Sequence, residues 1–165
     1  MSKSIDDLKS AFTGESQANR KYTAFSRKAD QEGFAQAAKL FRAAAHAETV
    51  HALSHFNALG EVKSTAENLE AAIAGENYEA VNMYPGFIQD AEAEGNKAAL
   101  RSFKYAWEVE KVHEQLYREA LSALVKSTET LDYYVCPVCG YTVAKGAPER
   151  CPICNTPGAR FDRIA

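Results

Sequence analysis

Two kinds of residue in this chain stand at spacings suited to metal ions. Glu48 and His51 form a Glu-x-x-His in Ala47-Glu48-Thr49-Val50-His51, and Glu110 with His113 form a second copy. On a helix, residues three apart lie on neighbouring faces, so each motif can turn a carboxylate and an imidazole toward one point. A further glutamate precedes each copy: Glu15 lies 33 positions before Glu48, and Glu76 lies 34 before Glu110. The second kind is cysteine. Cys136-Pro137-Val138-Cys139 and Cys151-Pro152-Ile153-Cys154 are separated by eleven residues. Two such turns facing each other make a tetrahedral thiolate site.

A single Glu-x-x-His in a glutamate-rich chain is better explained by a solvated helix face. Two copies, each led by a Glu at nearly the same offset, point instead to one buried cluster. Burying several carboxylates without a cation is costly. The small or apolar neighbours Ala45, Ala47, Val50, Ala72, Ile73, Ala74, Val109 and Val112 predict a face turned inward. Glu79 lies three positions after Glu76 and should face the same cluster, as a seventh ligand competing with a histidine. Tyr22, Tyr84 and Tyr117 follow the glutamates at spacings that would let their hydroxyls bond ligand carboxylates. They read equally as packed core tyrosines. Trp107 and Met83 read as core, and His46 and His55 as surface or core residues, not ligands.

Long helices must position these groups. Residues 1 to about 126 are rich in Ala, Glu, Lys, Leu and Gln, with Pro85 their only proline. Helices are predicted from Ser4 to about Glu32, from about Phe34 to Leu59, from a capping box at Ser64-Thr65-Ala66-Glu67, and from about Asn96 to Ser127. Tyr84-Pro85-Gly86 is expected to interrupt the third, with a short helical piece up to Gly95. After a linker at Thr128–Asp132 the texture changes: four of the five prolines and all four cysteines follow. That segment is too short to fold on an apolar core and needs a metal staple. The expected domains are 1–130, a helical bundle, and 131–165, a tetracysteine module.

The net charge of -3 brings no basic block for nucleic acid, and no apolar run approaches a membrane span. Met1–Ser10 is polar and does not read as a signal peptide. Close cysteine pairs in an otherwise cysteine-free chain suit a reducing compartment, so a cytoplasmic protein is expected. For the metal at the cysteines, spacing alone leaves zinc and iron equal.

The stretches Gly14-Glu15-Ser16-Gln17-Ala18, Ala47 to Ala52, Ala74-Gly75-Glu76-Asn77-Tyr78-Glu79, Met83-Tyr84-Pro85, Glu110 to Glu114 and both cysteine pairs closely resemble rubrerythrin. The resemblance implies a mainly α chain: a ferritin-like four-helix bundle followed by a small rubredoxin-like metal-bound domain. One Glu from each of two helices and a Glu-x-x-His from each of two others is the general ligand plan of ferritin-like di-iron proteins. It implies two iron ions in a carboxylate-bridged site held by Glu15, Glu48, His51, Glu76, Glu79, Glu110 and His113. One further iron would be held by Cys136, Cys139, Cys151 and Cys154, with zinc as a substitute. It also implies a peroxidase that reduces hydrogen peroxide to water in oxidative-stress defence. Glu79 and His51 would exchange as ligands, with Tyr22 and Tyr84 beside them. Electrons would come from a rubredoxin or an NAD(P)H-dependent reductase and pass through the tetracysteine iron.

The connection between the second and third helices is short. In ferritin-like bundles these helices run parallel, so the chain must return along the bundle by roughly 33 Å, at about 1.5 Å per residue. Residues Gly60–Ser64 reach only about 17 to 20 Å. A domain-swapped homodimer is therefore expected, with each di-iron site shared between chains. An antiparallel up-down bundle is the alternative. Competing functions are iron storage, which normally needs a multi-subunit shell, and an interaction module built on a zinc ribbon.

Overall fold

The computed structural model describes residues 2–124 and 130–165. Part of the expected linker, Thr128 and Glu129, and the end of the fourth predicted helix lie outside the described residues. The chain forms two compact units, Met1–Lys63 and Ser64–Ala165.

The first unit is a hairpin of α1 (Lys3–Gln31) and α2 (Ala35–Ala58). Gly33, at φ +83°, supplies the left-handed residue that turns the chain between them. Ala38, Ala45 and Ala52 are buried at seven-residue intervals, a seam of small side chains that lets the two helices approach closely. Phe12 stacks on Phe56 at 4.9 Å, which ties the start of α1 to the end of α2. Asn19 Nδ2 donates to the Ala45 carbonyl at 2.6 Å and to Thr49 Oγ1 at 2.8 Å. These bonds fix the register beside Glu15 and Glu48.

The second unit begins at Ser64, whose side chain and backbone make the predicted capping box with Glu67. From there α3 (Thr65–Tyr78) runs without a break through a π turn (Glu79–Met83) into α4 (Tyr84–Ala93). The expected interruption at Tyr84-Pro85-Gly86 is thus corrected. In the wider turn the Tyr84 N–H bonds the Glu79 carbonyl, five residues back. Pro85 then falls in the first turn of α4, where its missing N–H is tolerated. One carbonyl is left over. Ala80 O loses Tyr84 to the π register, and its π partner would be Pro85, which has no N–H. The Trp107 indole takes that place, donating to Ala80 O at 2.7 Å. Trp107, expected as plain core packing, is therefore a bonded prop for the π turn; its ring also lies 3.9 Å under the Lys111 ammonium.

Helix α5 (Lys97–Ala123) returns along α3 and α4, capped by Asn96 Oδ1 on the Ala99 N–H at 3.1 Å. A short sheet follows: β1 (Tyr133–Val135), β2 (Thr142–Ala144) and β3 (Asp162–Ile164), antiparallel in the order β2-β1-β3. The cysteine pairs sit in two matching knuckles. Gly140 N–H bonds Cys136 O at 2.9 Å, and Asn155 N–H bonds Cys151 O at 2.9 Å. Both turns close on a left-handed residue, Gly140 at φ +84° and Asn155 at φ +63°.

Candidate metal centres

Three clusters of metal-ligating side chains occur among the described residues. Glu15, Glu48 and His51 meet on the α1–α2 hairpin. His51 Nδ1 lies 2.9 Å from Glu48 Oε2. This bond, then the contact with Glu15, holds the Glu48 carboxyl below its ordinary range. The cluster is open: the His51 side chain is 56% exposed. Val50, expected to face inward, is exposed too. It points off the hairpin because the buried seam runs through Ala45 and Ala52.

Glu76, Glu110 and His113 meet between α3 and α5. His113 Nδ1 lies 2.8 Å from Glu110 Oε2 and 3.9 Å from Glu76 Oε1. The His113 side chain is 27% exposed, half the value of His51. Behind it Val109 is almost fully buried. Burial, and then the Glu110 charge, push the Glu76 carboxyl up to about 7. The His113 imidazole is also raised, chiefly by its bond to Glu110. Two carboxylates crowded in a partly desolvated place, one of them holding a proton, fit a cation.

Glu79 lies beside this cluster, not in it. Burial raises its carboxyl, and the Glu110 charge adds to the effect. The Tyr84 hydroxyl is raised by burial and then by Glu110, Glu79 and Glu76, so it looks onto the acids. Tyr117 is raised by burial, Glu76 and Glu110. Tyr22 differs. Its ring packs 6.3 Å from both Phe25 and Phe41, and it makes no hydrogen bond to a carboxylate among the described residues. His46 and His55 join no cluster among the described residues.

The four cysteines form the third cluster, all as free thiols. Cys136 Sγ and Cys154 Sγ are 3.5 Å apart, as are Cys139 Sγ and Cys151 Sγ. Burial pushes the Cys139 and Cys151 thiols up. Burial also works against the Cys154 thiolate, but the Thr156 hydroxyl at 3.1 Å and the Thr156 backbone N–H, then the Cys139 and Cys136 thiols, bring its pKa down to about 6. Four sulfurs converge with donors aimed at them, which fits a tetrathiolate metal.

Two residues outside the expected ligand sets support these centres: Thr142, and Trp107, which was expected only as core packing. Thr142 Oγ1 meets His113 Nε2 at 3.0 Å, and Trp107 holds the turn that carries Glu79. Neither has a spacing signal. Each contact exists only once a distant segment is packed against α5 or within it.

Comparison with known proteins adds the family. The rubrerythrin family profile matches residues 6–121, and the profile of the rubrerythrin rubredoxin-like domain matches residues 134–162. The chain is 38% identical to a rubrerythrin of Porphyromonas gingivalis, over 98% of this chain and 90% of that one. It is 34% identical to rubrerythrin-2 of Clostridium acetobutylicum, over 94% of both. Among solved structures it resembles fully reduced, all-ferrous nigerythrin, with a TM-score of 0.60, 33% identity, and coverage of 99% of this chain and 88% of that one. The fold is thus mainly α and ferritin-like, with a C-terminal rubredoxin-like domain. The carboxylate–histidine clusters and the four cysteines are donor sets of the kinds that hold the family's di-iron and tetrathiolate iron. With both profiles matched in order along one chain, this protein belongs to the rubrerythrin family.

Proposed function

We propose that this chain is a peroxidase that reduces hydrogen peroxide to water in oxidative-stress defence. The observation that carries the reading is the presence, in one rubrerythrin-family chain, of two Glu, Glu-x-x-His clusters and a tetrathiolate cluster. Cleaving one O–O bond to give two waters takes up two electrons and two protons. When bound, the iron pair supplies the two electrons, and the tetrathiolate iron returns them singly from a rubredoxin or an NAD(P)H-dependent reductase.

The chain's own groups do the rest. Glu76 would hold the iron pair together with Glu110 and His113, the acid and imidazole beside which it is packed. The Tyr84 hydroxyl keeps its proton and orients toward the same acids. Glu79, beside the cluster and free of it, is the carboxylate that exchanges with His51 as a ligand. Tyr22 is the corresponding phenol on the first hairpin. The remaining ligands are those expected: Glu15, Glu48, His51, Glu110, His113 and the four cysteines. The functional division is 1–130 for the di-iron domain and 131–165 for the electron-transfer domain. No described helix is long and apolar enough to cross a membrane. Free thiols kept together suit the cytoplasm.

The two carboxylate–histidine clusters are proposed to form one centre across a swapped homodimer. Glu48 lies ten residues before the end of α2, and Glu76 eleven after the start of α3. Parallel packing of these helices requires a return of about 32 Å, while residues 59–64 reach about 20 Å.

Stopped-flow mixing of the reduced protein with peroxide tests the chemistry. Fast oxidation of the di-iron centre is expected, slowed in Glu79→Ala; slow oxidation, or equal rates in both proteins, overturns the reading. A mixing experiment tests the swap. Glu48→Ala and Glu110→Ala chains are unfolded together and refolded. Swapped pairing rebuilds an intact centre in mixed dimers, returning about one quarter of parental activity for random pairing. No recovery rejects the shared centre.

A further inference from the structure

His113 has two ring nitrogens, and they face different parts of the second unit. Nδ1 faces Glu110 and Glu76. Nε2 faces away from them, to Thr142 Oγ1 at 3.0 Å on strand β2 of the cysteine module. The Thr142 hydroxyl has one proton, and it is already committed: Oγ1 donates to the Gly140 carbonyl at 2.9 Å. Toward His113 it can only accept. Nε2 must therefore carry hydrogen, and the hydrogen on Nδ1, given to the Glu110 carboxylate in the metal-free site, is the one a metal would displace. The Gly140 carbonyl also lies near the imidazole and, as an acceptor only, has the same sense. Around the bond is a cavity of about 270 Å³ lined largely by Leu69, Leu116, Tyr117, Ala120 and Tyr133. On the first hairpin, His51 makes no such second bond among the described residues.

We propose that Thr142 is a positioning residue for the helical metal site: its hydroxyl, oriented by Gly140, holds His113 as the Nε2–H tautomer and so presents Nδ1 to the metal. The strand of the cysteine module thereby helps to build the neighbouring centre. This rests on the proposed role of His113 as a ligand. A histidine ligand whose far nitrogen is bonded keeps its ring orientation and basicity, and losing such a partner typically weakens metal binding 10- to 100-fold.

The test uses the full chain, stripped of metal and titrated with Co(II). Thiolate charge-transfer bands report the cysteine site, and weaker ligand-field bands report the carboxylate–histidine site. Proton NMR of the Co(II)-loaded protein follows the shifted, exchangeable His113 N–H. In Thr142→Val the carboxylate–histidine affinity should fall about 10- to 100-fold. The His113 N–H should exchange faster with solvent, while the thiolate bands stay unchanged. Thr142→Ser should restore both affinity and slow exchange. Equal affinity and exchange in parent and Thr142→Val would overturn the proposal. So would a Thr142→Ser variant as weak as Thr142→Val, because packing of the strand and not the hydroxyl would then be responsible. A parent chain that takes Co(II) only at its cysteines would reject the ligand role of His113 itself, and this inference with it.

Discussion

The two hairpins offer the same groups in the same order, yet they treat them differently. On the first, Glu48 is held ionised by His51, and the imidazole stands in solvent. On the second, Glu76 is driven toward its neutral form, and His113 is enclosed and bonded at both nitrogens. Identical ligand types therefore do not make equivalent half-sites. The second is packed into place by α5, the π turn and the cysteine module. The first is an open set of donors. Preorganisation is greater on the second side, and the proposed exchange pairs Glu79 of that side, which stands beside its cluster, with the exposed His51 of the first.

The comparison is broken most directly by removing a ligand from each side. Glu110→Ala should lower Co(II) affinity at the helical centre by more than about 100-fold, beyond the range for an outer partner. His51→Ala should cost less, because its ring is exposed and held by one bond. Equal losses in the two titrations would refute the asymmetry.

Removing the Trp107 prop is next. Trp107→Phe leaves the buried Ala80 carbonyl without its donor, a cost of about 1–3 kcal/mol. Urea denaturation should show that loss, and peroxide-driven oxidation should slow because Glu79 rides on the same turn. An unchanged urea midpoint would mean that the indole bond does not support the turn.

The metal-free protein should also separate the hairpins by pH. A carboxyl with a raised folded pKa binds its proton more tightly in the native state than in the unfolded chain. Stability should therefore fall as pH rises from 4.5 to about 7, the window set by Glu76. The raised His113 acts in the same direction: its contribution is full below 6.5 and is lost as pH rises through its folded value. Glu48 has the opposite sign, with a contribution present above 4.5 and lost as pH falls through its lowered value. Urea midpoints across this range should slope downward in the parent and flatten in Glu76→Gln. Parallel curves would remove Glu76 as the cause. The smallest effect is expected at the start of α3, where Ser64→Ala should cost about 1 kcal/mol of stability by losing the capping box.

Much of this was legible in the residues. The helix ends at Gly33 and Gly60, the Ser64 box, both carboxylate–histidine clusters and the cysteine cluster all follow from local spacing. Glu79 stands near its cluster by the same three-residue rule, at the residue where the π turn begins. Pro85 was read as a break because a proline interior to an α register is costly, and no local pattern announces the wider turn that accommodates it. The Trp107 and Thr142 bonds were hidden for another reason: each depends on which distant backbone lies beside α5. Tyr22 has a suitable spacing, but Phe25 and Phe41 claim its ring.

The π turn also explains a small mismatch in the repeat. From Glu15 to the end of α1 is 16 residues, and from Glu76 to the end of α4 is 17. The turns that follow each span three residues, and the returning helices reach Glu48 and Glu110 after 13 residues each. The second hairpin is thus the first with one amino acid inserted, and the π turn is where that insertion is stored. Deleting Val81 tests this history. It should return the segment to an ordinary α register, equalise the two hairpins, and place Pro85 where an α-helix tolerates it least.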